Sequence, residues 1–517
     1  MAVRAVVWRS YYQDSMILMR IAESLRALPG VREAAVLMGT PANHELLAAA
    51  GLATPETKAA TPGDLVLAVA ASTDAEAQAA LDAAKGLFDA RRREREATGR
   101  ILPRTLESAL RQLPDANLVS ISVPGAYAKF EAMRGLRRGL HVFLFSDNVS
   151  LADEVELKQV AVRRRLLCMG PDCGTAYLNG VGLGFANVVA RGRVGCVAAS
   201  GTGLQAVASR LAALGEGVSH GIGVGGRDLS AEVDGAMTKL ALEALAADPT
   251  TEAVILISKP PAASVLPGLE ATIRKVGKPI VVSCLGAAAR GDGSARWVTT
   301  LEDAADAAVA LLDGRSWAPR AFSDPVAVRT RLARLRADTT RRGAGLLGLY
   351  TGGTLAHEAR LLLEPLLGPI ASNVGAGGEA GPHRILDLGA DEFTVGRLHP
   401  MLDPEGRAAR VREAGRSAGV GVVLVDLVLG RGVHADPARP LAAAIEDARR
   451  AAAADGRSLL VVASVVGTER DPQGLGAQVG ALEAAGAEMV PSNAQAARFA
   501  ALALNPSLEA ELLGDAR

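Results

Sequence analysis

The strongest constraint on the fold is a pattern that occurs twice in this chain, the second time about 150 residues after the first. Each copy has an apolar run, a hydroxyl- and glycine-rich turn, a helical segment and two further apolar runs. The apolar runs lie at 194–198, 221–224 and 254–257 in the first copy, and at 346–350, 385–388 and 422–425 in the second. An order of strand, helix, strand, helix, strand builds a parallel sheet. We therefore predict two similar α/β units with parallel sheets.

The turn after the first strand of each copy places small residues at the start of a helix. It reads Ser200-Gly201-Thr202 in the first copy and Thr351-Gly352-Gly353-Thr354 in the second. Backbone N–H groups at a helix N-terminus lack intrahelical partners, and the helix dipole favours an anion there. Two such turns predict a site that binds a phosphate or similar anion from both sides. The alternative, that both are only structural turns, stays open.

Composition excludes several classes of function. The 517 residues carry 56 basic and 56 acidic side chains, so nothing favours nucleic acid or an anionic membrane as a partner. No apolar run approaches the roughly 18 residues of a membrane span, and no secretion signal is present, so we expect a cytoplasmic protein. The four cysteines lack metal-site spacing, which predicts reduced thiols and no metal.

Four domains are predicted along the chain. They are an N-terminal α/β module (1–98), a Rossmann-like half sheet of the CoA-binding type (105–190) and two flavodoxin-like units (191–312 and 344–510). The charged segment 319–342 is interpreted as a helical linker between the two repeats.

Other side chains are candidates because they follow predicted strands. Gly225, Gly226 and Arg227 follow a strand in the first copy, where the glycines can line the anion site and the arginine can bind a phosphate or carboxylate. Lys259 ends another strand, where contact with an anion and plain solvent exposure are both open.

Three residues of the second copy are candidate catalytic residues. Arg397 and His399 can bind a carboxylate or transfer a proton, and His434 follows a glycine-rich turn at a strand end, where α/β proteins bind ligands. His357 lies one turn into the second-copy helix, where an anion contact and a solvated position are both open. Asp426 and Asp436 can serve as ligands, caps or salt-bridge partners.

Residues 117–312 resemble the alpha subunit of succinyl-CoA synthetase, and 344–510 resemble the ligase domain of its beta subunit more faintly. The segments that carry the first resemblance are Ser122-Val123-Pro124, Gly170-Pro171-Asp172-Cys173, Arg193-Val194-Gly195, Ser200-Gly201-Thr202, Gly223-Val224-Gly225-Gly226 and Lys278-Pro279. Over nearly its whole length the chain is similar to the FdrA family, which fuses these pieces. The segments that carry this similarity are Tyr12-Gln13-Asp14-Ser15, 36–40 with Asn43, 351–355, 399–404, 430–437, Gly467-Thr468 and 471–473.

The FdrA resemblance implies a subunit of an oxamate carbamoyltransferase. Members are implicated, with two partner proteins, in phosphorolysis of a carbamoylated oxamate to carbamoyl phosphate during allantoin breakdown. The resemblance thus implies phosphate and carbamoyl phosphate as substrates, and partner subunits or a homo-oligomer.

Three departures separate the chain from a succinyl-CoA synthetase. The segment Leu285-Gly286-Ala287-Ala288-Ala289-Arg290-Gly291 has no histidine where the synthetases carry a phosphohistidine. No stretch has room for a nucleotide-binding ATP-grasp domain. In the synthetases, a glycine-rich turn binds the CoA phosphate. The corresponding turn Arg9-Ser10-Tyr11-Tyr12-Gln13-Asp14 has no glycine, so the sequence does not support a CoA site there.

Three functions remain open on the sequence. The first is carbamoyl transfer through carbamoyl phosphate held between the two helix N-termini, where backbone donors would stabilise the oxyanion. The second is an NDP-forming acyl-CoA synthetase, which would form a thioester with ATP or GTP and carry a phosphorylated histidine. The third is a non-catalytic scaffold or regulatory subunit that binds anions or acyl-CoA.

Overall fold

The computed structural model describes residues 2–13, 15–97, 103–287, 293, 295–338, 340–375, 381–394 and 398–514. It contains two compact units, one formed by residues 1–116 with 391–398, and the other by residues 117–390 with 399–517. The second unit holds both copies of the repeated pattern.

The first unit is built on a three-stranded antiparallel sheet. Its elements are β1 (Ala2–Trp8), α1 (Ser15–Arg26), β2 (Val31–Met38), α2 (Pro41–Ala49), α3 (Pro55–Lys58), β3 (Leu65–Ala71), α4 (Asp74–Ala97) and α5 (Leu106–Gln112). The central strand β3 is apolar and buried throughout, and it runs antiparallel to β1 and β2 on either side. The sequence predicted an α/β module here, and in the structure β3 lies between β1 and β2, the two strands that α1 joins.

The second unit begins with a small parallel sheet. Its elements are β4 (Leu118–Ile121), α6 (Gly125–Arg137), β5 (His141–Leu144), α7 (Leu151–Arg164) and β6 (Cys168–Met169), with strand order β4-β5-β6. This half sheet agrees with the predicted Rossmann-like topology.

The next sheet has seven strands. Its elements are β7 (Thr175–Leu178), β8 (Val181–Gly184), β9 (Val194–Ala198), α8 (Gly201–Ala213), β10 (Val218–Gly223), α9 (Ala236–Ala247), β11 (Ala253–Ser258), α10 (Leu266–Lys275), β12 (Ile280–Cys284), β13 (Arg296–Val298) and α11 (Leu301–Leu312). The five strands from β9 to β13 are parallel and follow the spatial order β10-β9-β11-β12-β13, which is the flavodoxin-like order. The hairpin β7–β8 extends this sheet antiparallel, although the predicted boundary at 190 placed it in the preceding module.

The second copy forms a six-stranded sheet after a helical linker. Its elements are α12 (Pro325–Ala337), β14 (Arg341–Arg342), β15 (Gly345–Tyr350), α13 (Gly353–Leu367), β16 (Ala371–Ser372), β17 (Arg384–Asp387), α14 (Asp391–Thr394, part of the first unit), α15 (Glu405–Arg416), β18 (Val420–Val428), α16 (Ala438–Ala454), β19 (Arg457–Ser458), β20 (Leu460–Val466), α17 (Leu475–Ala484), β21 (Ala487–Met489), α18 (Asn493–Leu504) and α19 (Glu509–Leu513). The strands are parallel in the order β16-β17-β15-β18-β20-β21. The run β17-β15-β18-β20-β21 repeats the flavodoxin-like order, which confirms the predicted duplication.

The two flavodoxin-like halves share one hydrophobic core. Buried side chains of α8 and α11 in the first half pack in the same cluster as those of α13 and α18 in the second. A buried amide also joins the halves, since Nδ2 of Asn187 donates to the carbonyl oxygen of Leu429 and to Oδ2 of Asp471, at 2.8 Å each. The relative position of the two repeated turns is therefore fixed by burial and by hydrogen bonds.

No helix in the described ranges is both long enough and apolar enough to cross a membrane.

Candidate functional site

The two predicted turns meet. Ser200 caps α8, with its Oγ accepting from the N–H of Gly203 at 3.0 Å, and the same Oγ lies 2.5 Å from Oγ1 of Thr354 in the first turn of α13. A Cβ on Gly352 would lie only 2.5 Å from Cγ2 of Thr202, so glycine is required for this approach. The N-terminal ends of α8 and α13 therefore face each other across one shared place. Anion binding there stays a prediction.

A buried ion pair holds the turn that leads into α13. The backbone N–H of Thr351 donates to Oδ1 of Asp426 at 2.9 Å, and its hydroxyl donates to Oδ2. Arg407 of α15 donates to the carbonyl oxygen of Asp426 at 2.5 Å and to Oδ1 at 2.9 Å, and both side chains are almost fully buried. Burial raises the pKa of Asp426 and lowers that of Arg407, while their mutual attraction opposes both shifts.

His399 lies beside this turn, as part of a small polar group. A Cβ on Gly389 would lie 2.5 Å from Nε2 of His399, 2.9 Å from the carbonyl oxygen of Thr351 and 3.2 Å from Oδ1 of Asp387. Nδ1 of His399 accepts from the N–H of Met401, so Nε2 carries the proton of the neutral ring. Burial lowers the pKa of His399 to about 4, and the ring stacks on Phe185. At neutral pH, His399 is thus a hydrogen-bond donor near the start of α13.

The Asp387 carboxylate reaches the same helix end. A Cβ on Gly353 would lie 2.7 Å from Oδ2 of Asp387. The positive end of the helix dipole favours a carboxylate at a helix N-terminus, just as it favours a phosphate. No motif in the sequence distinguishes Asp387, and its place at the helix end follows from its position at the end of β17, which pairs with the end of β15.

The other predicted catalytic residues have different positions. Arg397 lies outside the described residues. The ring of His434 is held in its own turn, because its Nδ1 accepts from the backbone N–H of Asp436 at 3.1 Å. The backbone N–H of His434 donates to the carbonyl oxygen of Met401 at 2.8 Å. His434 and His399 are therefore both hydrogen-bonded to the backbone of Met401.

Gly226 lies beside the residue that precedes the Ser200 turn, whereas Gly225 contacts another segment. A Cβ on Gly226 would lie 3.8 Å from the carbonyl oxygen of Ala199, whereas one on Gly225 would lie 2.6 Å from that of Pro171. Gly225 thus serves a close backbone contact with the preceding module. Gly201 packs against Thr175, because a Cβ on Gly201 would lie 3.0 Å from Oγ1 of Thr175.

The structure gives Arg227 a bonding role of its own. Its Nε donates to Oε2 of Glu154 and its Nη2 to the carbonyl oxygen of Val149, both at 2.8 Å. Glu154 also accepts from the buried Lys158, which bonds Asp228 as well. Arg227 thus anchors the loop after β10 to α7, and its proposed contact with an anion stays a prediction.

Two neighbouring residues of α13, the sequence candidate His357 and Glu358, are buried polar groups. His357 is 9% exposed, its Nδ1 has no hydrogen-bond partner, and burial is the main cause that lowers its pKa to about 4. Glu358 is 1% exposed and accepts from the N–H of Leu301 at 2.7 Å and from Nδ2 of Asn493 at 2.8 Å. Burial raises the pKa of Glu358 to about 7.

Glu358 should make stability depend on pH. Its carboxyl has a pKa of about 7 when folded against an ordinary 4.5, so its protonated form stabilises the folded chain below pH 4.5, and this contribution is lost as the pH rises to about 7. We expect the free energy of unfolding of the native chain, minus that of Glu358→Gln, to fall by roughly 3 kcal/mol across this window. Chemical denaturation of both proteins at several pH values measures this difference, and a constant difference would contradict the assignment.

Cysteine chemistry does not contribute to the site. All four cysteines are buried and none forms a disulfide bond with another, and burial raises the pKa of Cys173 to about 12. A thiol so seldom ionised is a poor nucleophile. Within the described residues, no three His, Cys, Asp or Glu side chains are grouped to hold a metal ion.

Family models match both ends of the chain. Residues 1–101 match the AllF, heavy metal-associated domain, and residues 349–503 match the CoA-ligase family. Residues 1–101 contain no cysteine and a single histidine, His44, which does not fit a metal site of thiolate or imidazole ligands.

Two curated proteins are similar in sequence. The protein YahF of Escherichia coli K12 is 37% identical over 505 residues, which cover 95% of this chain and 97% of YahF. The alpha subunit of the ADP-forming succinate–CoA ligase of Methanothermobacter thermautotrophicus is 29% identical over 148 residues, which cover 28% of this chain and 49% of that subunit.

Among solved structures, an acetyl-coenzyme A synthetase of Ca. Korarchaeum cryptofilum, in complex with phosphate and ADP, is 16% identical with a TM-score of 0.32. The match covers 78% of this chain and 85% of that one. Taken together, the sequence matches support the acyl-CoA synthetase alternative better than the carbamoyltransferase that was predicted first.

Proposed function

The chain belongs to the family of YahF and joins an AllF-type domain to a CoA-ligase domain, and we propose that it transfers an acyl group between an acyl phosphate and coenzyme A. The observation that carries this proposal is the meeting of the two helix ends at Ser200 and Thr354. The CoA-ligase match and the similarity to a succinate–CoA ligase subunit support the reaction class.

The phosphoryl group would be bound at the two helix ends. There, the N–H groups of the first turns and the hydroxyls of Ser200 and Thr354 would donate to its oxygens, and the short contact between the two hydroxyls would give way to the anion. Attack by a thiolate on the acyl carbon forms a tetrahedral oxyanion, and phosphate then leaves. Donors aimed at the developing charge would lower the barrier for this step.

The test supplies acyl phosphates directly, so that no nucleotide is needed. The purified full-length chain is incubated with acetyl phosphate or succinyl phosphate and CoA, and thioester formation and phosphate release are measured together. We expect equal amounts of thioester and phosphate. Absence of thioester with both donors would contradict the proposal.

Carbamoyl transfer through carbamoyl phosphate is a second candidate. It is favoured by one observation, the absence of a histidine from residues 285–291, since this transfer needs no covalent phosphoryl carrier. Phosphate release from carbamoyl phosphate that requires oxamate, with no thioester from the other donors, would support this candidate. The same assays repeated with the products of neighbouring genes would show whether partner subunits are required.

A further inference from the structure

We propose that the second flavodoxin-like half has a further binding site, in which two arginines bind the phosphate of a small phosphate monoester. The site is a cavity of about 610 Å³, a size within the usual range of small-molecule sites. Its walls are the end of α12 with β14, the end of α16 with β19, and the start of β21.

The cavity lies at the opposite edge of the sheet from the helix ends. Arg342 precedes β15 and Arg457 lies just before β20, whereas Thr351 follows β15. The strands β15, β18 and β20 are parallel, so their N-terminal ends share one edge. The six residues of β15 span roughly 20 Å. A ligand in the cavity would therefore be separate from one held at Ser200 and Thr354.

The cavity is lined by four arginines, which are Arg342, Arg449, Arg450 and Arg457. Arg450 pairs with Asp447 at 3.1 Å, and Arg457 pairs with Asp455 at 3.0 Å. The other two arginines have no carboxylate at ion-pair distance among the described residues. Two guanidinium groups at this cavity thus lack a counter-ion in direct contact.

Two carboxylates also line the cavity, and each has a partner of its own. Glu488 of β21 is paired with Arg334 of α12. Asp338 accepts from the backbone N–H of Thr340 at 3.0 Å, and it acts on Arg342 only through its charge. Since arginines outnumber carboxylates in the lining by four to two, the cavity favours an anion.

Arg342 is the side chain that most lacks a partner. Its Nε is enclosed without a hydrogen bond, and its terminal nitrogens have no bond within the part of the chain that the structure describes. A Cβ on Gly421 would lie 2.8 Å from Cγ of Arg342, so the stem of the arginine is closely packed. A partly buried guanidinium without partners is costly. A phosphate bonded to the terminal nitrogens would offset this cost.

Arg449 is held at the cavity by the turn before β21. Its Nη1 donates to the carbonyl oxygen of Ala485 at 3.1 Å. A Cβ on Gly486 would overlap the same nitrogen, and Gly486 has a φ of +89°, so glycine suits this position twice over. The guanidinium is fixed by one N–H group, and its other N–H groups remain for a ligand.

Two unpaired guanidinium groups match the phosphate dianion of a monoester in charge. The planar fork of an arginine also bonds two phosphate oxygens at once. The cavity is larger than a phosphate ion requires, and Leu335, Leu459 and Leu460 contribute to its walls. The organic part of the ester would therefore contact apolar side chains.

The test measures binding to the full-length chain by calorimetric titration in a buffer free of phosphate. The probes are inorganic phosphate, glucose 6-phosphate and AMP, and their matched controls are glucose, adenosine and the dicarboxylate succinate. We expect one or both monoesters to bind, and to raise the temperature of unfolding because a ligand stabilises the folded state. Glucose and adenosine should not bind, and succinate should bind more weakly than the monoesters.

Variants assign the binding to the cavity. We expect Arg342→Met and Arg449→Met each to weaken monoester binding about tenfold or more, the effect of losing charge-assisted hydrogen bonds. Arg163→Met, at the exposed end of α7, removes a positive charge elsewhere and should retain the affinity. Without ligand, Arg342→Met should unfold at a temperature no lower than the native chain, because Arg342 makes no hydrogen bond to lose.

Four results would overturn this inference. They are unchanged monoester affinity in Arg342→Met and Arg449→Met, no binding of any phosphate probe at millimolar concentrations, and succinate binding as tight as that of the monoesters. The fourth is loss of monoester binding in Ser200→Ala with Thr354→Val, which would place the ligand at the helix ends. None of these results depends on thioester formation, which tests the proposed function separately.

Discussion

Replacing Arg407 with methionine is expected to lower the free energy of unfolding by about 3–5 kcal/mol, because Asp426 would lose its partner in a site without solvent. Both side chains are almost fully buried, and Arg407 donates to the carboxylate and the main chain of Asp426. Urea unfolding of Arg407→Met and the native chain measures the difference. Since Asp426 in turn holds Thr351, we expect the acyl-transfer rate to fall as well.

Arg416→Met is the control for this prediction. Arg416 lies at the exposed end of the same helix, α15, so the same change there should alter stability by no more than about 0.5 kcal/mol. A loss below about 1 kcal/mol for Arg407→Met would show that Asp426 finds other compensation.

The double variant Ser200→Ala with Thr354→Val is expected to slow acyl transfer by about 100-fold or more, the effect typical of removing donors from an oxyanion site. Both hydroxyls lie at the meeting point of α8 and α13, and valine keeps the shape of threonine. The measurement is the rate of thioester formation from acetyl phosphate and CoA, with KM and kcat determined separately.

The loss of the Ser200 cap has its own cost, because an N-cap change to alanine destabilises by about 1 kcal/mol. Thermal unfolding must therefore show that the double variant is folded at the assay temperature. Thr330→Val, on the exposed surface of α12, removes a hydroxyl that bonds only its own helix and should leave the rate unchanged. A double variant with lowered stability and an unaltered rate would mean that the meeting of the helices is structural only.

Much of the fold followed from the sequence because its signals are local. The duplicated apolar runs predicted two parallel sheets of the same strand order, and both are present. Local capping chemistry is also present, since Oγ1 of Thr73 accepts from the N–H of Glu76 at the start of α4.

The errors concern which elements come together. The sequence prediction named no strands in 175–184 and left them with the preceding module, whereas the structure pairs the hairpin β7–β8 with β10 of the next sheet. In the same way, the apolar pattern of β3 does not indicate the direction of this strand, which is antiparallel to both β1 and β2.

The site depended on contacts that no local pattern encodes. Arg407 and Asp426 are 19 residues apart, and Asp387 meets Gly353 only because β17 lies next to β15. The sequence left open whether His357 contacts an anion or solvent, and its burial within the electrostatic reach of Lys259 from the other half is visible only in the structure. The candidates were chosen by residue type, but tertiary packing determines which of them lie at the same site.

The core common to both flavodoxin-like halves has a consequence for how the enzyme could be assembled. If the gene were divided near residue 320, each product would expose the apolar faces of α8 and α11 or of α13 and α18 to water. We expect the fragments to behave as obligate subunits that are not folded as monomers, and the meeting of the helix ends at Ser200 and Thr354 would then form only in the heterodimer.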